Sequence, residues 1–251
     1  MLLVALQLSG CSGVPSDAPR TMHSLQDALR EPSNAIGLVL SQSKLKQVPP
    51  EVGQLKALKG LDLSENELTT LPDFLAELTE LELLDLRSNR LTAIPPVLAR
   101  MPKLRKLYLS DNQLSSVDHL PHGLEELYLS QNQLQSLPAL PTSLRLLHLA
   151  DNKLDASDEL ARLTRLEELN VSNNRLQSLP AGFCELDRLQ TLIAKNNRIS
   201  ELGFEPASNH RLLLVHLEGN PIPPELQARL KKQQPRAEWR FSSEPPEEGG
   251  P

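Results

Sequence analysis

The chain has 251 residues, of which 3% are aromatic, and 26 Lys and Arg stand against 32 Asp and Glu for a net charge of -6. No run approaches the roughly 20 apolar residues of a membrane-spanning helix, so none is predicted and any core must be aliphatic. The charge repels a phosphate backbone, which argues against nucleic acid and favours a basic or neutral partner. Two cysteines, Cys11 and Cys184, are too few and too far apart for a zinc site or a disulfide framework, and neither a metal nor a cofactor is expected.

At the amino terminus, in MLLVALQLSGCSG, a short apolar run from Leu2 to Leu8 meets Leu8-Ser9-Gly10-Cys11. That tetrapeptide resembles the lipobox of bacterial lipoproteins. The resemblance implies a signal peptide over 1–10, acylation of Cys11 as the first mature residue, and a flexible tether over 11–20. With Ser12 in second place it implies an outer-membrane lipoprotein, tied to the membrane by lipid alone. No lysine or arginine precedes the run, and a start codon set too late accounts for that. A cytoplasmic chain with an apolar terminus is the alternative.

The segment SLQDALREPSNAIGLVL (24–40) reads as a Ser-capped helix stopped before Pro32, followed by a strand, giving an amino-terminal cap over 21–34. From 35 to 222 the chain repeats L-x-x-L-x-L-x-x-N-x-L. Its units begin at Ala35, Leu58, Leu81, Leu104, Leu124, Leu144, Leu166, Leu189 and Leu212, at spacings of 20 to 23 residues. These nine units are identified as leucine-rich repeats. One unit has a single apolar face with nothing of its own to cover it, so it must stack on a neighbour.

The predicted fold is an α/β repeat solenoid. It is a curved horseshoe with parallel strands on the concave face and short helices, 3-10 turns or extended segments on the convex face. Asn66, Asn89, Asn112, Asn132, Asn152, Asn174, Asn197 and Asn220 should form a structural ladder, because an amide can donate and accept where the chain turns out of each strand. Only the first unit departs, with Ser43. Stretches such as LTTLPDFLAELTEL (68–81) suit a short helix or 3-10 turn, whereas LQSLPALPTSL (134–144) is too short and proline-rich and should be extended. After the array, 223–241 reads as a closing cap with Trp239 and Phe241 folded back, and 242–251 as a disordered tail.

One outward residue lies between the two inward leucines of each strand, giving the column Val39, Asp62, Asp85, Tyr108, Tyr128, His148, Asn170, Ile193, His216. The only two tyrosines fall in register. With strands about 4.8 Å apart, Tyr108, Tyr128 and His148 should form a continuous row, the composition of a protein-binding hot spot. Asp62, Asp85, Lys106, Glu126, Asp151 and Asn170 complete the expected ligand-binding set. The outward strand positions hold eleven acidic residues against six basic ones, so a basic protein or peptide is the expected ligand.

Catalysis is not expected. Asp62 and Asp85 should stand about 5 Å apart, as paired glycosidase carboxylates do, but on an open face without a pocket to split their acidities. Asp118, His119 and His122 make a poor metal set. The chain therefore reads as a monomeric, non-catalytic protein-interaction module. The alternatives are a soluble cytosolic scaffold or inhibitor and a glycan-binding or adhesive surface protein.

Overall fold

The structure is a computed structural model, and it describes residues 20–156, 158–179, 181–203 and 211–241. The signal-like segment, Cys11, nearly all of the tether and the 242–251 tail lie outside them, as does the side chain of Cys184. The chain divides into two compact units, at Asn132 and Gln133.

In the first unit a short strand β1 (Arg20–Met22) leads into helix α1 (Leu25–Arg30), whose Ser24 hydroxyl accepts from the Asp27 amide at 3.4 Å. Strands β2 (Ala35–Val39), β3 (Gly60–Asp62), β4 (Leu83–Asp85), β5 (Lys106–Tyr108) and β6 (Glu126–Tyr128) follow, each parallel to the one before it. Strand β1 pairs in parallel with β2, which the leucine pattern gives no hint of. In the second unit β7 (Leu146–His148), β8 (Glu168–Asn170), β10 (Thr191–Ile193) and β12 (Leu214–His216) continue the same plan. A small separate pair joins β9 (Ser178–Leu179) to β11 (Glu201–Leu202).

The strands form because leucine alternates with polar residues at a period of two. Leu61 and Leu63, Leu84 and Leu86, and Leu107 and Leu109 are all fully buried. On the return path 3-10 helices cover Pro50–Gln54, Asp73–Glu77, Pro96–Arg100, Asp158–Arg162 and Ala181–Glu185. They press Val52, Leu75, Leu98 and Leu160 into the core. The two short proline-rich connections, 115–123 and 135–143, contain no helix.

Each asparagine serves two repeats. Asn112 places Nδ2 at 2.9 Å from the Leu86 carbonyl of the preceding repeat and 3.1 Å from its own Leu109 carbonyl, while its Oδ1 accepts from the Leu91 amide at 3.0 Å. Asn66, Asn89, Asn132, Asn174, Asn197 and Asn220 repeat the arrangement. Asn152 likewise binds its own Leu149 carbonyl and the Leu134 amide. The bonding reaches backwards along the chain, which explains Ser43: the first repeat has no earlier repeat loop for an asparagine to serve.

The residue before each ladder position adopts the left-handed conformation, with φ between 52° and 58° at Gln42, Glu65, Ser88, Asp111, Gln131, Asp151, Asn173 and Asn196. Only the last, Gly219 at φ 73°, is glycine. A Cβ there would stand 2.2 Å from Asn196 Oδ1. Gly219→Ala should therefore cost about 1 to 2 kcal/mol in chemical denaturation. A midpoint unchanged from the parent would show that the Asn196 amide swings aside freely.

The carboxyl end closes with helix α2 (Pro224–Gln233) and a final strand, β13 (Glu238–Arg240), parallel to β12. Trp239 is buried, donates Nε1 to the Gln234 carbonyl at 3.2 Å, and stacks on Phe241 with centroids 5.8 Å apart. No described helix is long and apolar enough to cross a membrane.

Candidate functional site

On the outward face of the first unit, register places Asp62 beside Asp85, Asp85 beside Tyr108 and Tyr108 beside Tyr128. The tyrosine rings stack with centroids 4.5 Å apart and planes at 21°. Arg87 lies over Tyr108 at 5.5 Å from its centroid, so the Tyr108 ring is covered by Tyr128 and a guanidinium together. The Arg87 Nε and Nη2 also grip the Asp85 carboxylate at 3.0 and 2.5 Å, and the Arg87 amide donates to it as well, at 3.0 Å. Across the pair, the Tyr108 hydroxyl donates to Glu126 Oε2 at 3.4 Å, and Glu126 Oε1 sits 2.7 Å from Lys106 Nζ.

This packing gives Tyr108 and Asp85 roles other than the open ligand contacts expected of them, since each keeps only 2% of its surface exposed. Burial, and after it the neighbouring Glu126 charge, push the Tyr108 hydroxyl well above its ordinary range. Tyr108 is thus a support on which the half-buried Tyr128 ring rests. Arg87 is the residue that sequence reasoning missed. Its signal is a break in a column that otherwise reads Ser41, Ser64, Ser110 and Ser130 in this unit.

In the second unit His148 Nε2 lies 2.8 Å from Glu168 Oε1, and register sets His148 beside Asn170. Asn170 Oδ1 accepts from the Ser172 amide, and Asp151 Oδ1 accepts from Asn173 Nδ2 at 2.8 Å. Lys195 Nζ stands 3.2 Å from Glu218 Oε1, with His216 Nδ1 at 3.8 Å from the same oxygen.

Charge on these faces is largely settled internally. All six outward cations are paired, in Lys59–Glu82, Arg87–Asp85, Arg105–Glu125, Lys106–Glu126, Arg145–Glu167 and Lys195–Glu218. The acids outside any described ion pair are Asp62, Glu65, Asp111 and Asp151. Three of these four occupy the left-handed turn column, so the uncompensated charge gathers at the turns where the strands end. Asp62, for its part, accepts from the Ser64 amide and hydroxyl at 2.9 and 2.6 Å. Among the described residues no group of three or more His, Cys, Asp or Glu is placed to hold a metal ion.

Family models for leucine rich repeats match residues 37–91, 79–122 (as two copies) and 165–186. Residues 37–122 and 165–186 match leucine-rich repeats. Among solved structures, the chain resembles a chain of the Drosophila Toll and Spatzle complex, with a TM-score of 0.68 and 25% identity over 84% of its length. It resembles a chain of the LRIM1/APL1C complex with a TM-score of 0.71 and 26% identity over 89% of its length. It spans only 31% and 42% of those two chains. The internalin InlF of Listeria monocytogenes shares the fold, with a TM-score of 0.57 and 18% identity over 96% of this chain and 88% of that one. No curated protein matches the sequence.

Proposed function

We infer that this leucine-rich repeat chain is a non-catalytic protein-interaction module that takes a protein or peptide on the outward face of its strands. The observation carrying this is the stacked tyrosine pair on the open face of β5 and β6, pinned by Arg87, Glu126 and Lys106. Rigid aromatic area, ordered before the ligand arrives, costs little entropy on binding. The Toll and Spatzle structure and the LRIM1/APL1C structure are both complexes between proteins, which supports the class of partner. Asp62, Glu65 and Asp111 draw a ligand carrying lysine or arginine to the same face. The Leu8-Ser9-Gly10-Cys11 tetrapeptide supports a lipid tether at Cys11 in a bacterial envelope, which an intact mass from the membrane fraction tests.

The experiment is to select binders from a peptide library and measure their affinity for the parent and for Tyr128→Ala. Tyr108 is left in place because its burial makes it structural. Basic peptides should dominate the selection, and the Tyr128 variant should lose about ten-fold or more in affinity with its unfolding curve little changed. Equal affinity for both proteins would move the site away from the tyrosines. Selected binders indifferent to ionic strength would remove the electrostatic part of the reading.

A further inference from the structure

The outward column of the second unit holds two histidines in different surroundings. His148 Nε2 lies 2.8 Å from Glu168 Oε1, so a proton added to that ring completes an ion pair. His216 has no such place for a proton. It stands on β12, matched to Ile193 of β10 on one side and to Arg240 of β13 on the other. Its side chain and that of Glu218 are each only 12% exposed. His216 Nε2 and Glu218 Oε2 are both buried without a hydrogen-bond partner in the protein.

Four charged groups act on the His216 ring: Glu218, Lys195, Arg240 and Glu238. Glu218 Oε1 is 3.8 Å from His216 Nδ1 but 3.2 Å from Lys195 Nζ, which reaches over from just beyond β10. On β13, Arg240 Nε donates to Glu238 Oε1 at 2.7 Å. Two acids and two bases already balance, and each acid is engaged. An imidazolium would turn the group positive beside Lys195 and Arg240, with its Nε2–H buried and unpaired, which costs free energy. Burial, before any other cause, holds the His216 ring below the ordinary histidine range; Lys195 and Arg240 add to this, and Glu218 and Glu238 oppose it.

We propose that His216 is an acid-sensitive latch on the carboxyl-terminal strand: protonating it releases β13 from β12 while the repeats before it stay closed. Strand β13 is only three residues long and has β12 as its one strand neighbour. When it lifts away, Arg240 and Glu238 leave with it, water reaches the ring, and His216 regains its ordinary affinity for a proton. The open form therefore binds a proton more tightly than the closed one. Closure is fully stable above the ordinary histidine pKa of about 6.5 and weakens as pH falls below it. The edge laid bare, with the Leu213 carbonyl and the Leu217 amide, is one that a further strand can pair with.

Hydrogen exchange followed by NMR tests this at single amides. The Glu238 amide donates to the Leu213 carbonyl and the Leu217 amide to the Arg240 carbonyl, both at 2.7 Å, so these two report on the seam between β12 and β13. The Leu149 and Val171 amides, bonded to the Asn170 and Ile193 carbonyls, are controls inside the array. Between pH 7.5 and 5.5 protection factors, corrected for intrinsic exchange, should fall about three- to ten-fold at the seam, ten-fold being the limit one unit below the histidine pKa. They should not fall at the controls. His216→Gln should abolish the effect. Lys195→Gln, at a partly exposed position, should shrink it by leaving Glu218 free to receive the imidazolium, and it carries the test if His216→Gln does not fold. Seam protection that ignores pH would overturn the proposal, as would an undiminished fall in either variant. An equal fall at the controls would do so too, because the whole unit would then be loosening.

Discussion

Asn112→Asp should destabilise the first unit by about 4 kcal/mol at neutral pH, although the two side chains are nearly the same shape. The Asn112 amide donates towards the carbonyls of Leu86, Leu109 and Ser110 from a site only 9% exposed. An aspartate keeps the acceptor for the Leu91 amide but faces those carbonyls with an oxygen. Each buried polar group left without a partner costs about 1 to 3 kcal/mol, and a buried charge against carbonyl dipoles adds to that. The pH dependence identifies the cause. A carboxyl whose pKa is forced up binds a proton more tightly in the folded state, so folding of the variant gains stability as pH falls through the raised folded value. The protonated acid can again donate to one carbonyl, and the gap from the parent should narrow in acid. Urea unfolding at two pH values measures both quantities, and a variant within 1 kcal/mol of the parent at neutral pH would mean that the loops relax around the charge. Asn112→Ala should fall between the two.

Arg87→Ala should cost about 3 kcal/mol, far more than an exposed arginine ordinarily does. Its partner Asp85 is 2% exposed, so removing the guanidinium leaves a buried carboxylate with little beyond the backbone amide of residue 87. The same change uncovers the Tyr108 ring. Changing Asp85→Ala as well should restore much of the loss, because no uncompensated charge then remains. Arg87→Lys should recover only part of it, since an ammonium cannot match the two-point grip or lie flat over a ring. A double-mutant cycle gives the coupling directly; a coupling near zero would show that water replaces the guanidinium freely.

These two sites mark how far the amino-acid sequence could be followed. Asn112 was legible because its role is backbone bookkeeping repeated at one place in each repeat, and the leucines around it are constrained by a period of two. The 3-10 helices, and their absence from the short connections, were legible for a similar reason, since length and proline placement leave the chain few ways to return. Arg87 was not, because nothing periodic says that its side chain folds back onto Asp85 and over Tyr108 instead of standing free. That single fold-back turned two expected contact residues, Tyr108 and Asp85, into supports. Strands β1 and β13 were hidden for another reason. Each has only one neighbour to cover, so neither carries the leucine alternation that marks the strands between them.

The backward reach of the asparagines has a consequence for biosynthesis. Translation delivers repeats from the amino terminus, and the loop of each one stays open until the asparagine of the next emerges and binds its carbonyl and amide. A nascent array of any length therefore carries one unfinished loop, at its growing end. The lesion is constant in size instead of accumulating with length, so a ribosome that stalls anywhere in the array exposes the same short stretch of unsatisfied backbone.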